Sequence, residues 1–112
     1  MAYNHEHDPL DAGPLIAISG ELDIAATPEL STVMLIAAGS PGTLVVLDLA
    51  DVEFIDSTAL GTILKSAGEI ESSGKRLRIV CGDGPVRRLL EMTNLTNRFQ
   101  LCPTRADALA AA

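Results

Sequence analysis

Three short apolar runs recur at regular intervals along the chain: LIAISG at 15–20, LVVLDL at 44–49 and LRIVC at 77–81. Each is almost continuously apolar and rich in aliphatic residues, which is typical of strands covered on both faces of a sheet. An amphipathic helical pattern follows each run. This alternation predicts parallel strands joined by right-handed crossovers, and hence an α/β fold.

The first two predicted helices have recognisable starts and ends. The first opens at Thr27-Pro28-Glu29, where a hydroxyl would cap the helix and Pro takes the first helical position, and it ends in the turn at 39–42. The second runs from about Asp56 to Ser72, and Gly74 closes it. Both place their apolar residues on one face, as expected of helices that cover a sheet.

The remaining segments complete the predicted domain. A third helix begins at Gly84-Pro85 and stops near Asn94, and a short fourth helix follows Thr104. We expect residues 1–13 to form an N-terminal tail or, at most, an edge strand that pairs antiparallel with 15–20 across a turn at Asp11-Ala12-Gly13, because Pro9 and its polar neighbours disfavour a central strand. We therefore predict a single domain over residues 1–112, with a four- or five-stranded, mixed but mostly parallel sheet and about four helices.

The charge balance restricts the possible partners. The formal net charge is −7, from 15 acidic and 8 basic residues, so nucleic acid and anionic membrane surfaces would repel the chain. A basic protein surface is the better match. The basic residues flank apolar runs, and we predict that they lie at solvated edges: Lys75, Arg76, Arg78, Arg87 and Arg88.

The sequence indicates a cytoplasmic protein. No run approaches the roughly 18 apolar residues of a membrane span, and the N-terminal residues lack the pattern of a signal peptide. Cys81 and Cys102 have no metal-binding or redox spacing and stand beside apolar residues. We predict two buried, reduced thiols, with a disulfide switch between them as the alternative.

Nothing in the sequence predicts an enzyme or a cofactor. The usual phosphate-binding, nucleophile and zinc-protease motifs are absent. His5 and His7 are the only histidines, and both lie in a polar N-terminal segment that makes a poor metal site. An enzyme with an unrecognised pair of acids remains a formal alternative, and it predicts turnover without a partner.

One segment, DLADVEFIDSTALG at 48–61, combines a strand, a tight polar connection and a helix start. Within the connection, we expect the apolar pair Phe54-Ile55 to pack against the core. Asp56 can serve as the N-cap, which would place Ser57 in the first turn with a solvent-facing hydroxyl. Ser57 is then either a further capping residue or a phosphoacceptor.

A phosphate on Ser57 would be tolerated by the fold. The N-terminus of a helix offers unpaired backbone N–H groups and the positive end of the helix dipole. The phosphate would add about −1.5 to −2 charges next to Glu53 and Asp56. A partner surface that had fitted this segment would then meet a dianion.

Three motifs resemble the STAS domain family and, within it, the bacterial anti-sigma factor antagonists. They are SGELDIAATPEL at 19–30, LDLADVEFIDSTALGTILKS at 47–66 and GPVRRLLEMTNL at 84–95. The central block is the most specific of the three. Together the motifs extend over most of the chain.

The resemblance implies a partner-switching mechanism. The unphosphorylated protein would bind an anti-sigma factor that is also a serine kinase and so release a sigma factor. Phosphorylation of Ser57 would end the binding, and a phosphatase would reset the switch. Asp56, Ser57, Thr58, Leu60 and Gly61 match the family's phosphorylation motif, and Asp23 matches a position expected beside it. The resemblance implies that all six residues contact the partner.

Two positions depart from the family pattern. Ala59 stands where Gly is usual, which adds a methyl group beside the switch, and Asn94 stands where Gly often ends the third helix. Asn tolerates the left-handed conformation that such a helix end needs. A STAS scaffold or small-ligand sensor that does not switch is the alternative function.

Overall fold

The computed structural model describes residues 1–7 and 13–110, which form five strands, four α-helices and one short 3₁₀ helix. The strands are β1 (Ala2–His7), β2 (Pro14–Leu22), β3 (Leu44–Ile55), β4 (Arg76–Val80) and β5 (Gln100–Cys102). The helices are α1 (Thr27–Gly39), α2 (Ser57–Ser72), α3 (Pro85–Met92) and α4 (Arg105–Ala110), with the 3₁₀ helix at Ile24–Ala26.

The sheet has the strand order β1-β2-β3-β4-β5. β1 lies at the edge and pairs antiparallel with β2, whereas the other pairs are parallel. The predicted mixed, mostly parallel α/β sheet with about four helices is confirmed, with five strands. The expected turn before Gly13 falls mostly in residues 8–12, outside the described residues.

The central strand is longer than the apolar run that predicted it. β3 continues through the expected polar connection to Ile55 because β2 also extends, and Glu21 and Leu22 pair with Phe54 and Ile55. Asp51 and Glu53 therefore lie on a strand rather than in a loop. Two irregularities in the β2–β3 register, between 17 and 19 and between 20 and 21, accommodate this polar extension.

The two faces of the sheet are covered unequally. The larger core lies on one face, where the apolar sides of α1 and α2 pack on β2, β3 and β4; it includes Ile16, Ile18, Leu30, Met34, Leu47, Ile63 and Ile70. The smaller core lies on the other face beneath the short helix α4; its buried members are Leu15, Leu44, Val46, Val80, Cys102 and Ala108. Burial on both faces explains the continuous apolar runs.

Arg78 contradicts the prediction that the basic residues are solvated. Its side chain is 1% exposed beneath α4. Nη1 donates to the carbonyl of Ala108 at 2.6 Å, and Nε donates to Oε1 of Gln100 at 3.1 Å. Arg76, the first residue of the same strand, is exposed as predicted. The prediction failed because a short helix after β5 covers this face of the sheet.

Arg105, the first residue of α4, makes further charged contacts that hold this helix on the sheet. Nε of Arg105 donates to Oδ2 of Asp48 at 2.5 Å, and Nη1 donates to Oε2 of Glu6 at 3.2 Å. The hydrogen bond to Asp48 is the main cause that raises the pKa of Arg105. These contacts join α4 to β3 in the middle of the sheet and to β1 at its edge.

The start of α1 differs from the prediction. The helix follows directly on the 3₁₀ turn, so Thr27 lies within helical backbone, and its Oγ1 donates to the carbonyl of Ile24 at 2.8 Å rather than capping an N–H group. The end of α3 agrees with the prediction, because Asn94 has φ of 58°. Leu95 N–H donates to the carbonyl of Leu90 at 2.8 Å, the six-residue bond of a Schellman motif.

The cysteines are both buried and free, as predicted. Cys81 belongs to the core under α1 and α2, whereas Cys102 belongs to the core under α4. Their side chains therefore lie on opposite faces of the sheet, which argues against the alternative of a disulfide switch. Burial is the main cause that raises the pKa of the Cys81 thiol, so it stays protonated at neutral pH.

Candidate functional site

Two aspartates meet where β2 and β3 end. Leu22 pairs with Ile55 as the last pair of the two parallel strands, and Asp23 and Asp56 follow them directly. The N–H of Asp56 donates to the carbonyl of Leu22 at 3.1 Å, which ties the two strand ends together. The structure thus brings Asp23 beside the start of α2.

Asp56 is the N-cap of α2, as the sequence predicts. Its backbone is extended, and Oδ1 accepts a hydrogen bond from the N–H of Ala59 at 2.9 Å. The cap satisfies one of the N–H groups that a helix start leaves unpaired. The N–H groups of Ser57 and Thr58 lie too early in the helix for an intrahelical acceptor, so they are available to an anion.

Ser57 is the first residue of α2 and its side chain is exposed. Since Asp56 already caps the helix, the hydroxyl of Ser57 is not needed for that purpose. The structure thus agrees with the predicted solvent-facing hydroxyl. Thr58 and Gly61 are exposed on the same first turns of the helix.

Two further residues of the predicted motif face inwards. Leu60 is 4% exposed and packs in the core, so its side chain supports the helix rather than a partner. Ala59 is fully buried. The methyl group that replaces the usual hydrogen therefore packs inside the domain, and it does not alter the surface beside Ser57.

Asp23 caps the short 3₁₀ helix. Its Oδ1 accepts a hydrogen bond from the N–H of Ala26 at 3.2 Å, and its side chain is half-buried. One carboxylate oxygen is thus engaged locally. The capping role fixes the orientation of this carboxylate beside the start of α2.

The surface at these strand ends is acidic. Residues 19–26 and 50–58 contain no Lys, Arg or His, and their acids are Glu21, Asp23, Asp51, Glu53 and Asp56. Among these, Glu21, Asp51 and Glu53 are exposed, and Asp23 and Asp56 are half-buried. The uncompensated charge favours a cationic partner surface.

Sequence reasoning missed two exposed apolar side chains at this site. The prediction that Phe54-Ile55 packs against the core is right for Ile55, which is buried, and wrong for Phe54, which is 48% exposed. Ile24, directly after Asp23, is 67% exposed. A strand alternates its side chains between faces, so once residues 54 and 55 are read as strand only one of them can face the core.

The site carries no arrangement typical of a metal centre or an enclosed ligand pocket. Within residues 1–7 and 13–110, no three His, Cys, Asp or Glu side chains are grouped to hold a metal ion. The hollow nearest the site is an open depression lined by Ser19, Gly20, Ala50, Asp51, Val52 and Glu53. Small-molecule pockets are usually deeper and more apolar. In the same residues, no helix is long and apolar enough to cross a bilayer.

Comparison with known proteins gives a consistent result. The STAS domain family model matches residues 5–108. The anti-sigma-B factor antagonist of Staphylococcus epidermidis is 33% identical over 81 residues, or 71% of this chain and 74% of that protein. A shorter match to a Thermotoga maritima protein is 38% identical over 63 residues and covers 56% of each chain.

The fold also matches a solved structure. The crystal structure of an anti-sigma factor antagonist from Mycobacterium paratuberculosis has a TM-score of 0.82 at 28% identity, covering 98% of this chain and 93% of that one. The family resemblance predicted from three sequence motifs is confirmed. Proteins named as antagonists of anti-sigma factors are regulators, which agrees with the prediction that this chain is not an enzyme.

Proposed function

Because the chain belongs to the STAS domain family, we propose that it is an anti-sigma factor antagonist of the bacterial cytoplasm. In its unphosphorylated form it binds an anti-sigma factor and thereby releases a sigma factor. The names of its relatives support this class of partner. The anti-sigma factor is also a serine kinase, and its phosphorylation of Ser57 ends the binding until a phosphatase removes the phosphate.

The observation that carries the proposal is the exposed Ser57 hydroxyl at the start of α2, next to an aspartate that already caps the helix. The hydroxyl is accessible to a kinase, and it is not needed to cap the helix. The phosphate would lie near the unpaired N–H groups of Ser57 and Thr58. The fold is therefore preserved while the surface changes.

The switch follows from the charge around Ser57. A phosphate adds about −1.5 to −2 charges to a surface that is already acidic. In the free protein, water and the helix N-terminus stabilise this charge. In a closed interface the phosphate would lose its water and meet groups arranged for a neutral hydroxyl, so binding weakens.

Phosphoryl transfer requires little from this chain. Ser57 supplies the attacking hydroxyl, and its oxygen forms the bond to the γ-phosphorus of ATP while the bond to ADP breaks. The kinase supplies ATP, Mg²⁺ and the group that accepts the hydroxyl proton. Asp23 and Asp56 act in recognition, where they present carboxylates to cationic residues of the kinase.

The proposal is tested with wild-type, Ser57→Ala and Ser57→Asp proteins as baits in lysate from the source organism, with ATP present. We expect Ser57→Ala to retain a protein with kinase activity that wild type loses on phosphorylation and that Ser57→Asp binds weakly. Thr58→Ala is the matched control, because it removes the neighbouring exposed hydroxyl and should switch like wild type.

Equal capture by all variants, or phosphate found on Thr58 instead of Ser57, would contradict the mechanism. Equal capture of a protein without kinase activity would instead favour the second candidate, a STAS scaffold that does not switch. A small-ligand sensor has less support, because the depression beside the site is open and polar.

A further inference from the structure

Two large apolar side chains are exposed near the ends of β2 and β3, the strands that lead into the site. Single exposed apolar residues are common on protein surfaces and need no explanation by themselves. Ile24 and Phe54 differ because both occur at the same strand ends. Phe54 is one of only two phenylalanines in a chain without tryptophan, and the other, Phe99, is buried in the core.

The sheet register brings the backbones of the two residues to the same end of the sheet. Phe54 pairs with Glu21, one step before the last pair of β2 and β3. Ile24 stands two residues after the end of β2, in the 3₁₀ turn that Asp23 caps. Ser57 stands two residues after the end of β3. Both apolar residues therefore lie within three residues of an aspartate of the Asp23–Asp56 pair.

The backbone is held in place at both residues. Phe54 lies on a strand paired in parallel with β2, and Ile24 lies in a hydrogen-bonded turn closed by two bonds from Ala26 N–H to Asp23. Little conformational entropy of the backbone remains to be lost when they bind. Apolar side chains on such a preordered backbone are favourable anchors in an interface.

We propose that Ile24 and Phe54 are the apolar anchors of the interface with the anti-sigma factor, and that the partner receives them in an apolar surface with a basic rim. This inference rests on the proposed function. The argument for the basic rim is charge complementarity, since the acids around the anchors have no Lys or Arg among them in residues 19–26 and 50–58. Apolar contact at the centre with charges outside it is the usual anatomy of a tight interface.

The anchors and Ser57 have separate tasks in this arrangement. Ile24 and Phe54 supply affinity by leaving water, and they do so whether or not Ser57 carries a phosphate. The phosphate then opposes association through charge and desolvation alone. Removing an anchor should therefore weaken both states by a similar factor and leave the ratio between them unchanged.

The test measures binding by titration calorimetry with one defined probe, the purified kinase that Ser57→Ala captures and Ser57→Asp loses. Phe54→Ala and Ile24→Ala should each raise Kd at least about 10-fold, as expected for truncated interface anchors. Met92→Ala is the matched control and should leave Kd within about 2-fold, as expected away from an interface. Met92 is 81% exposed at the end of α3, outside the two segments, 19–26 and 50–58, that carry the site.

A second readout separates binding from folding and chemistry. In phosphorylation assays the anchor variants should raise KM for this protein and leave kcat close to that of wild type, since neither residue supplies the hydroxyl. Urea unfolding should give the variants a free energy of unfolding close to that of wild type, because the truncated side chains are exposed.

The outcomes distinguish this inference from the proposed function. If no partner depends on Ser57, both fail. If the Ser57 variants switch as proposed but Phe54→Ala and Ile24→Ala bind like Met92→Ala, the anchors alone are overturned. If the free protein forms dimers that Phe54→Ala dissociates, as measured by analytical ultracentrifugation, the patch serves a second copy of the chain, which also overturns the inference.

Discussion

Two charged regions of this small domain are built in opposite ways. Beneath α4, Arg78 and Asp48 are buried and bonded within the chain, to Ala108, Gln100 and Arg105. At the ends of β2 and β3, Asp23 and Asp56 are half-buried and accept hydrogen bonds from backbone N–H groups of their own turns, and Glu21, Asp51 and Glu53 are exposed. Charges under α4 are satisfied by the fold, whereas we propose that those beside Ser57 face a partner.

Charges in the two regions therefore differ in what they contribute to stability and to function. A buried charge that loses its partner is costly, because the remaining groups can no longer reach water. A half-buried capping aspartate contributes less to folding, and its second oxygen can take part in recognition. Substitutions beneath α4 should therefore mainly reduce stability, whereas substitutions beside Ser57 should mainly reduce binding.

The largest effect on stability is expected for Arg78→Ala. The variant leaves the Ala108 carbonyl and the Gln100 side chain without their donor and opens a cavity beneath α4, so the free energy of unfolding should fall by about 3 kcal/mol. The measurement is urea unfolding followed by circular dichroism. Arg76→Ala is the control from the same strand, and its exposed side chain should cost less than about 0.5 kcal/mol. Similar losses in both variants would contradict the distinction.

The sequence predicted the architecture well for a clear physical reason. Strands buried on both faces produce continuous apolar runs, and the capped, amphipathic helices between them require crossovers of one hand. The burial of Arg78 was not predictable in the same way. Its strand begins with alternating basic and apolar residues, and Arg78 is buried only because α4, which follows a strand of three residues, covers it.

Prediction of the functional site from the sequence was limited in the same way. Asp56 and Ser57 were located by local helix-capping rules, which depend on neighbours in the sequence. Phe54 was misplaced because the extension of β3 depends on pairing with β2, a contact between residues far apart in the chain. Local chemistry was thus predictable, and the surface formed by two separate segments was not.

The second-largest effect on stability is expected for Asp56→Ala. Loss of the N-cap of α2 should lower the free energy of unfolding by about 1 kcal/mol. Asp56→Asn is the matched control, because the amide oxygen can accept the same hydrogen bond from Ala59 while the charge is removed. Thermal and urea unfolding give the free energies of unfolding of wild type, Asp56→Ala and Asp56→Asn. Their differences separate the contribution of the capping hydrogen bond from that of the carboxylate charge. If Asp56→Asn is as unstable as Asp56→Ala, the carboxylate charge rather than the cap stabilises the helix.

A pH-dependent change is expected for the buried thiol of Cys81. Burial raises its pKa above the ordinary value of 9.0, although Arg87 opposes the shift. Above pH 9 the unfolded chain therefore loses this proton before the folded protein does, and stability falls as pH rises. Urea midpoints between pH 7 and pH 10 should decline less steeply for Cys81→Ala than for wild type. Parallel curves would show that this thiol does not contribute.

The smallest change in stability, with a large change in binding, is expected for Asp23→Asn. Asn caps a turn about as well as Asp does, so the free energy of unfolding should change by less than about 0.5 kcal/mol. The lost charge faces the proposed cationic surface, and its removal should weaken binding by about 10-fold or more. Calorimetry with the kinase and urea unfolding measure the two quantities on the same preparation. A large loss of stability with unchanged affinity would show that Asp23 stabilises the fold, as Arg78 does, and does not bind the partner. The region whose charges stabilise the fold would then extend to the start of α2.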